Sequence, residues 1–139
     1  MQRNATNNLT PVFVYGTLLT NHGNWAWALA PQQGTPAATI EKYRFEDGPG
    51  FPYVGHATGR DKDARRVKGE IFWATDEQLE SLDRLEGHPD HYRRELVTVQ
   101  PTDEPGDTQQ AWMYIAARPL TGSPSTAIDA GGFWNWNAR

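Results

Sequence analysis

The chain contains no cysteine. Disulfides, a thiol nucleophile and thiolate-bound metals are therefore excluded. No apolar run approaches the ~20 residues that a membrane-spanning helix needs. No leader-like segment precedes the first apolar strand, so the cytoplasm is the expected location. Positive charge is also short: 13 Lys and Arg stand against 17 Asp and Glu, a formal net of -4. A general nucleic-acid binder carries the opposite balance. Neither nucleic acid nor membrane is an expected partner, and the oligomeric state is not legible.

What is present is aromatic bulk. Six tryptophans contribute to an aromatic share of 12% in 139 residues, enough to fill one sizeable core. Residues 1–10 are polar and asparagine-rich and read as a flexible tail, leaving 11–139 as a single domain. Short strands dominate the pattern. Val12–Tyr15 is β-branched and aromatic, Thr39–Phe45 and Val67–Ala74 follow, and Leu96–Gln100 and Ala111–Ala116 close the series. Asn24 is placed to cap a short helix over Trp25–Leu29 that Pro31 ends, with the two tryptophans of "WAW" as core. The stretches "EDGPGFPYVG", "GRDKDARR" and "PTDEPGDTQQ" read as loops or hairpin tips. After Arg118 comes a loop-like tail in which Trp134 and Trp136 serve as plugs. Five strands and two helices predict an α+β fold: a small, mostly antiparallel β-barrel with flanking helices.

One helix is well specified. "TDEQLESLDRLEG" opens on Thr75 with Gln78 three residues later, a capping box, and Gly87 supplies the stop. Leu79, Leu82 and Leu85 form a narrow apolar stripe. At ~100° per residue, Glu86 falls about 40° from the centre of that stripe, while Arg84 and Glu80 fall opposite. A carboxylate so placed is partly desolvated and sits at the negative end of the helix dipole. Both effects raise its pKa toward that of a proton shuttle near neutral pH. The competing reading is a buried ion pair with Arg93 or Arg94. Asp83 reads as a local capping or pairing residue. A second feature is "FVYGTL", where an apolar strand stops at Gly16. Glycine there signals either a plain turn or a backbone that something must approach closely. The donors of "EGHPDH" match no metal-ligand spacing, and no metal is expected.

Four segments, "VYGTL", "GEIFWA", "LDRLEGHPDHYRRELVTV" and "GGFWNW", together resemble the γ-glutamylcyclotransferase-like family, nearest to its small γ-glutamylamine cyclotransferase members. The likeness runs from about Val12 to Trp136 and rests on the ordered set rather than on any one motif. It implies a small β-barrel and release of an amine from a γ-glutamyl compound with formation of 5-oxoproline, without a cofactor. It also implies an acid/base role for Glu86 and backbone binding of substrate at Tyr15, Gly16, Thr17 and Leu18. Where such proteins often carry an acidic residue before the late tryptophan, this chain has Phe133, a difference expected to alter the pocket.

The chemistry accounts for both features. The substrate's own α-amine attacks its γ-carbonyl, so nucleophile and electrophile share one molecule. One carboxylate can take a proton from the α-ammonium and return it to the leaving amine. Backbone N–H groups in a tight turn can stabilise the carbonyl oxygen. Phe51 and Pro52 of "GFPYVG" and Tyr92 are candidate contacts for the substrate. The rim, with Phe51, Tyr53, Tyr92 and Phe133, reads as aromatic. That favours a γ-glutamyl alkylamine or γ-glutamyl-ε-lysine over glutathione. Two alternatives stay open: a binding module on the same scaffold without chemistry, and γ-glutamyl transfer to a second amine.

Overall fold

The computed structural model describes residues 9–104 and 106–139; most of the expected tail lies outside them. The order of elements is β1 (Thr10–Val14), α1 (Trp25–Ala28), β2 (Thr35–Asp47), β3 (Pro52–His56), β4 (Arg65–Ala74), α2 (Asp76–Glu86), β5 (Tyr92–Pro101) and β6 (Gln109–Ala116). A 3-10 turn at Trp136–Ala138 follows. No helix among the described residues is long and apolar enough to cross a membrane.

The strands run β3-β2-β4-β1-β6-β5, and β2 also pairs with β5, which closes β2, β4, β1, β6 and β5 into a barrel. All pairs are antiparallel except β1 with β6. β1 lies between β4 and β6, and its residues Val12, Phe13 and Val14 are all buried. This explains why β1 reads as a continuous apolar run rather than an alternating one. β1 begins at Thr10, which already pairs with Ala74.

β2 does two jobs with its 13 residues. Its first half closes the barrel, Ala37–Thr39 against Val99–Pro101. Its second half carries β3 as an added edge strand. The register shifts between Ala38 and Lys42. At that irregularity the buried Thr39 accepts the Val67 N–H through Oγ1 at 2.9 Å, and its carbonyl accepts Arg66 Nε at 2.6 Å. Thr39 therefore supplies acceptors for two donors of β4 at the bulge.

β3 corrects the sequence reading, which placed its residues in a loop. It opens on Pro52 and, among the described residues, pairs with β2 alone, and such an edge strand accommodates a leading proline. Asn24 is corrected too. It stands at the N-cap position of α1, but its side chain makes no cap bond. Instead Nδ2 donates to Thr17 Oγ1 at 2.7 Å and Oδ1 accepts Trp27 Nε1 at 3.1 Å. Trp27 is 59% exposed, so only part of "WAW" serves the core.

The capping box of α2 is present in full, with Gln78 N to Thr75 Oγ1 at 3.1 Å and Thr75 N to Gln78 Oε1 at 2.9 Å. Gly87 ends the helix at φ 66°, in the left-handed region. Leu82 is buried and Leu79 packs against the core, whereas Leu85 is 38% exposed. The leucine stripe thus begins in the core and runs out at a cavity.

The C-terminal segment packs against the barrel. Trp134 stacks on Phe45 with ring centres 5.4 Å apart and donates Nε1 to the Tyr43 carbonyl at 2.8 Å. Asp129 organises the approach to it, accepting the N–H groups of Gly131 and Phe133 and pairing with Lys68 at 3.0 Å.

Candidate active site

The turn after β1, the loop into β3, the end of α2 and the start of β5 converge on one cavity of about 550 Å³. The structure brings all eight sequence-selected residues to it: Glu86, Tyr15, Gly16, Thr17, Leu18, Phe51, Pro52 and Tyr92. Phe133 is not among its walls. It lies instead under two cations, 5.1 Å from the Arg66 guanidinium and 4.9 Å from Lys68 Nζ. The expectation that Phe133 belongs to the rim and reshapes the pocket is thereby overturned. The tail turns toward β4 to bury Trp134, and Phe133 goes with it.

Gly16 has a local explanation. A Cβ built there would lie 2.8 Å from Pro52 Cδ, so the glycine lets the β1 turn and β3 pack against each other across one wall of the cavity. The Gly16 carbonyl accepts Leu19 N at 3.0 Å, and the Thr17 carbonyl accepts Asn24 N and Trp25 N at 3.0 and 3.2 Å. These bonds fix the turn by its carbonyls. The N–H groups of Gly16, Thr17 and Leu18 have no acceptor among the described residues. A row of unspent donors beside a cavity is an arrangement able to bind a developing anion.

Glu86 is the last residue of α2 and is half-buried. Among the described residues it makes no hydrogen bond and no ion pair. Burial pushes its carboxyl up from 4.5 to about 7. Neither Arg93 nor Arg94 pairs with Glu86 among the described residues, and Arg94 is already engaged. Its Nε and Nη2 donate to the two carboxylate oxygens of Asp83 at 2.8 and 3.1 Å. Burial opposes the charge on Asp83, yet hydrogen bonds from Arg94 and Tyr114 outweigh it and hold the carboxyl below its usual range. Asp83 is therefore the local pairing residue that the sequence suggested.

Tyrosines surround Glu86. Tyr15 is buried and donates to the Tyr114 carbonyl at 2.6 Å. Tyr114 in turn donates to Asp83 Oδ1 at 2.6 Å. Tyr92 reaches the Pro52 carbonyl at 3.4 Å. Burial is the largest cause that pushes these phenols up, followed by Tyr92 at Tyr15, by the Glu86 charge at Tyr92 and by the hydrogen bond to Asp83 at Tyr114, so they act as neutral hydroxyls. Tyr114, His91 and Asn24 are cavity residues that the sequence reading missed. Tyr114 lies on a strand whose two faces are both largely covered, so alternation gives no cue. Arg84, assigned by helical periodicity to the face away from the leucines, also borders the cavity, because α2 ends at its edge.

The histidines of "EGHPDH" take separate paths. His88 Nδ1 accepts Arg94 N at 3.1 Å, while His91 lies against Gly87. Among the described residues no three His, Asp or Glu side chains gather as metal ligands.

Residues 12–135 match the model of a family described as gamma-glutamyl cyclotransferase, AIG2-like. A gamma-glutamylcyclotransferase family protein of Citrobacter rodentium is 30% identical over 128 residues, covering 92% of this chain and 96% of that one. A gamma-glutamylaminecyclotransferase of Danio rerio is 31% identical over 116 residues, covering 77% of this chain but 59% of the relative. An AIG2-like protein from Mus musculus superposes with a TM-score of 0.66 at 23% identity over 92% of this chain and 95% of that one. This last likeness concerns the fold.

Proposed function

Since the chain belongs to the gamma-glutamyl cyclotransferase, AIG2-like family, we propose that it cyclises a γ-glutamyl amide, releasing an amine and 5-oxoproline, with Glu86 as its acid/base. The observation that carries the proposal is the pairing of two features on one cavity: an unpartnered, desolvated carboxyl at Glu86 and the free N–H groups of Gly16, Thr17 and Leu18.

The steps follow from that arrangement. The glutamyl γ-carbonyl oxygen points at the N–H groups of the β1 turn. The Glu86 carboxylate takes a proton from the substrate's α-ammonium. The freed amine attacks the γ-carbon, and the new C–N bond closes a five-membered ring. Negative charge builds on the carbonyl oxygen and is met by the turn. As the carbonyl re-forms, the bond to the leaving nitrogen breaks and Glu86 returns its proton to that nitrogen; the ring nitrogen then passes its second proton through the Glu86 carboxylate to the same amine, which departs as an ammonium. Every atom and proton comes from the substrate, so the sequence balances with no further reactant. A carboxyl near pKa 7 suits both halves of the shuttle, because it is neither too weak a base for the first transfer nor too weak an acid for the second. Ring closure within one molecule supplies much of the rate.

Phe51, Pro52, Tyr53 and Tyr92 wall the mouth through which the amine leaves. Such a rim favours an aliphatic amine chain over the carboxylate-bearing partner of glutathione. The test is to incubate the protein with a panel of γ-glutamyl amides and measure 5-oxoproline. Formation from γ-glutamyl alkylamines or γ-glutamyl-ε-lysine, with higher kcat/KM than from glutathione, supports the reading. Binding without product would favour a module that only captures the ligand. Transfer of the glutamyl group to an added amine would favour acyl transfer.

A further inference from the structure

Arg94 of β5 is bonded to α2 one turn before Glu86, yet it does not pair with Glu86. Its guanidinium is held on several sides. Asp83 takes it in a two-pronged bond at 2.8 and 3.1 Å, and the Trp112 ring lies beneath it at 5.0 Å. Its own backbone N–H is tied to His88 Nδ1 at 3.1 Å. Asp83 is itself fixed by Tyr114, whose hydroxyl donates to it at 2.6 Å. The carbonyl of that same Tyr114 accepts the Tyr15 hydroxyl at 2.6 Å. One residue of β6 thus anchors both the β1 turn, by its carbonyl, and α2, by its hydroxyl.

Asp83 and Glu86 are three residues apart on one helix, which places them about 5–6 Å apart at Cβ. A guanidinium parked on Asp83 therefore has Glu86 within a side chain's reach. Glu80, one turn the other way, is exposed to water and a weaker draw. The other titratable groups that share the cavity with Glu86 are Tyr15, Tyr53, Tyr92 and Tyr114 from the strand side, Arg84 from its own helix and His91 from the loop after it. Arg84 is exposed and donates to Ser81 Oγ at 3.2 Å. Arg94 is thus a partly buried cation bonded to the same helix one turn before Glu86.

From this geometry we infer that Asp83 is a positioning residue: it locks Arg94 in place and so keeps that cation from forming an ion pair with Glu86. The inference builds on the role proposed for Glu86, since a Glu86–Arg94 pair would tie up the proton shuttle. It gives the Asp of "LDRLEG" a task that neither packing nor helix capping requires.

The test is a titration of the Glu86 carboxyl by carbon-13 NMR on the whole chain without substrate, set beside the pH profile of kcat/KM. In Asp83→Asn the amide keeps the volume and an acceptor for Tyr114 but loses the charge that holds Arg94. The Glu86 midpoint is expected to fall by about one pH unit or more, a tenfold change in proton affinity, and the acid limb of kcat/KM to move with it. The double variant Asp83→Asn with Arg94→Gln removes the freed cation and is expected to restore the wild-type midpoint. An unmoved midpoint in folded Asp83→Asn, or an equal fall in the double variant, overturns the inference. Should Asp83→Asn not fold, Arg94→Gln carries the test. Asp83, unpaired beside Glu86, then raises the midpoint, and an unchanged or lower one overturns the inference. If the midpoint moves as stated but no γ-glutamyl amide yields 5-oxoproline, the proposed activity fails and the lock stands. If 5-oxoproline forms and folded Asp83→Asn keeps its midpoint, the lock fails and the activity stands.

Discussion

Asp83 and Glu86 are two carboxylates one helical turn apart on α2, and the fold treats them oppositely. Asp83 faces β5 and β6, where Arg94 and Tyr114 both donate to it. Glu86 faces a cavity and receives no bond among the described residues. Burial acts against charge at both positions. Partners overcome it at Asp83 and nothing does at Glu86, so one carboxyl is held low and the other rises to about 7. The comparison teaches that burial alone does not assign a role. A carboxylate whose hydrogen-bonding capacity is filled serves structure, while one left unfilled beside an open cavity is free to exchange protons.

The largest expected effect comes from breaking the Glu86 side of the pair. Glu86→Gln keeps the volume and removes the shuttle. Its kcat is expected to fall about 10²-fold or more, with the fold intact by circular dichroism. Breaking the Asp83 side also costs stability. Asp83→Leu removes the two-pronged acceptor of Arg94 and the acceptor of the Tyr114 hydroxyl. It is expected to cost about 1–3 kcal/mol in urea unfolding, against about 0.5 kcal/mol or less for Glu80→Leu at the exposed position one turn earlier.

A smaller effect is expected at the other half of the cavity. Gly16→Ala drives a Cβ against Pro52. A loss of about 1 kcal/mol in unfolding free energy is expected, with a weakened KM as the turn shifts. Gly23→Ala, whose Cβ would meet nothing within 4 Å, serves as the control and should leave KM unchanged.

The smallest effect separates the two carboxylates by pH. Glu86 has a raised pKa in the folded chain, so its ionisation opposes folding. That cost is absent below the ordinary carboxylate range, appears as pH rises above it, and is complete above about 7. Glu86→Gln is therefore expected to melt a few degrees higher than wild type at pH 8 and at the same temperature near pH 4. Asp83 has a lowered pKa, so its contribution is present at neutral pH and disappears in acid. The Asp83→Leu deficit should accordingly shrink as pH falls below the usual carboxylate range. Both trends are read from thermal melts across pH.

Much of this was legible in the sequence because it depended on local signals. The capping box and Gly87 bound α2 closely, and the leucine period placed Glu86 toward the interior. The apolar run before Gly16 located β1 and its turn. What stayed hidden depended on distant partners. Nothing near Pro52 reveals that β2 is long enough to carry an extra strand past the barrel. The Asp83–Arg94 pair is completed by Tyr114 and Trp112, residues of β6 that no helix pattern can bring in. Phe133 was misplaced for the same reason, since the cations it covers sit on β4. Gly16 was read as room for a ligand, and the structure adds that Pro52 already requires it.

The most direct test of the central claim is the pH dependence of kcat/KM for 5-oxoproline release from a γ-glutamyl alkylamine, run on wild type and Glu86→Gln. The wild-type profile is expected to rise through a midpoint near 7, set by Glu86, and the variant to lose that limb along with most of its rate. A wild-type profile that is flat across that range, or a folded Glu86→Gln variant that keeps both the limb and the rate, would contradict it.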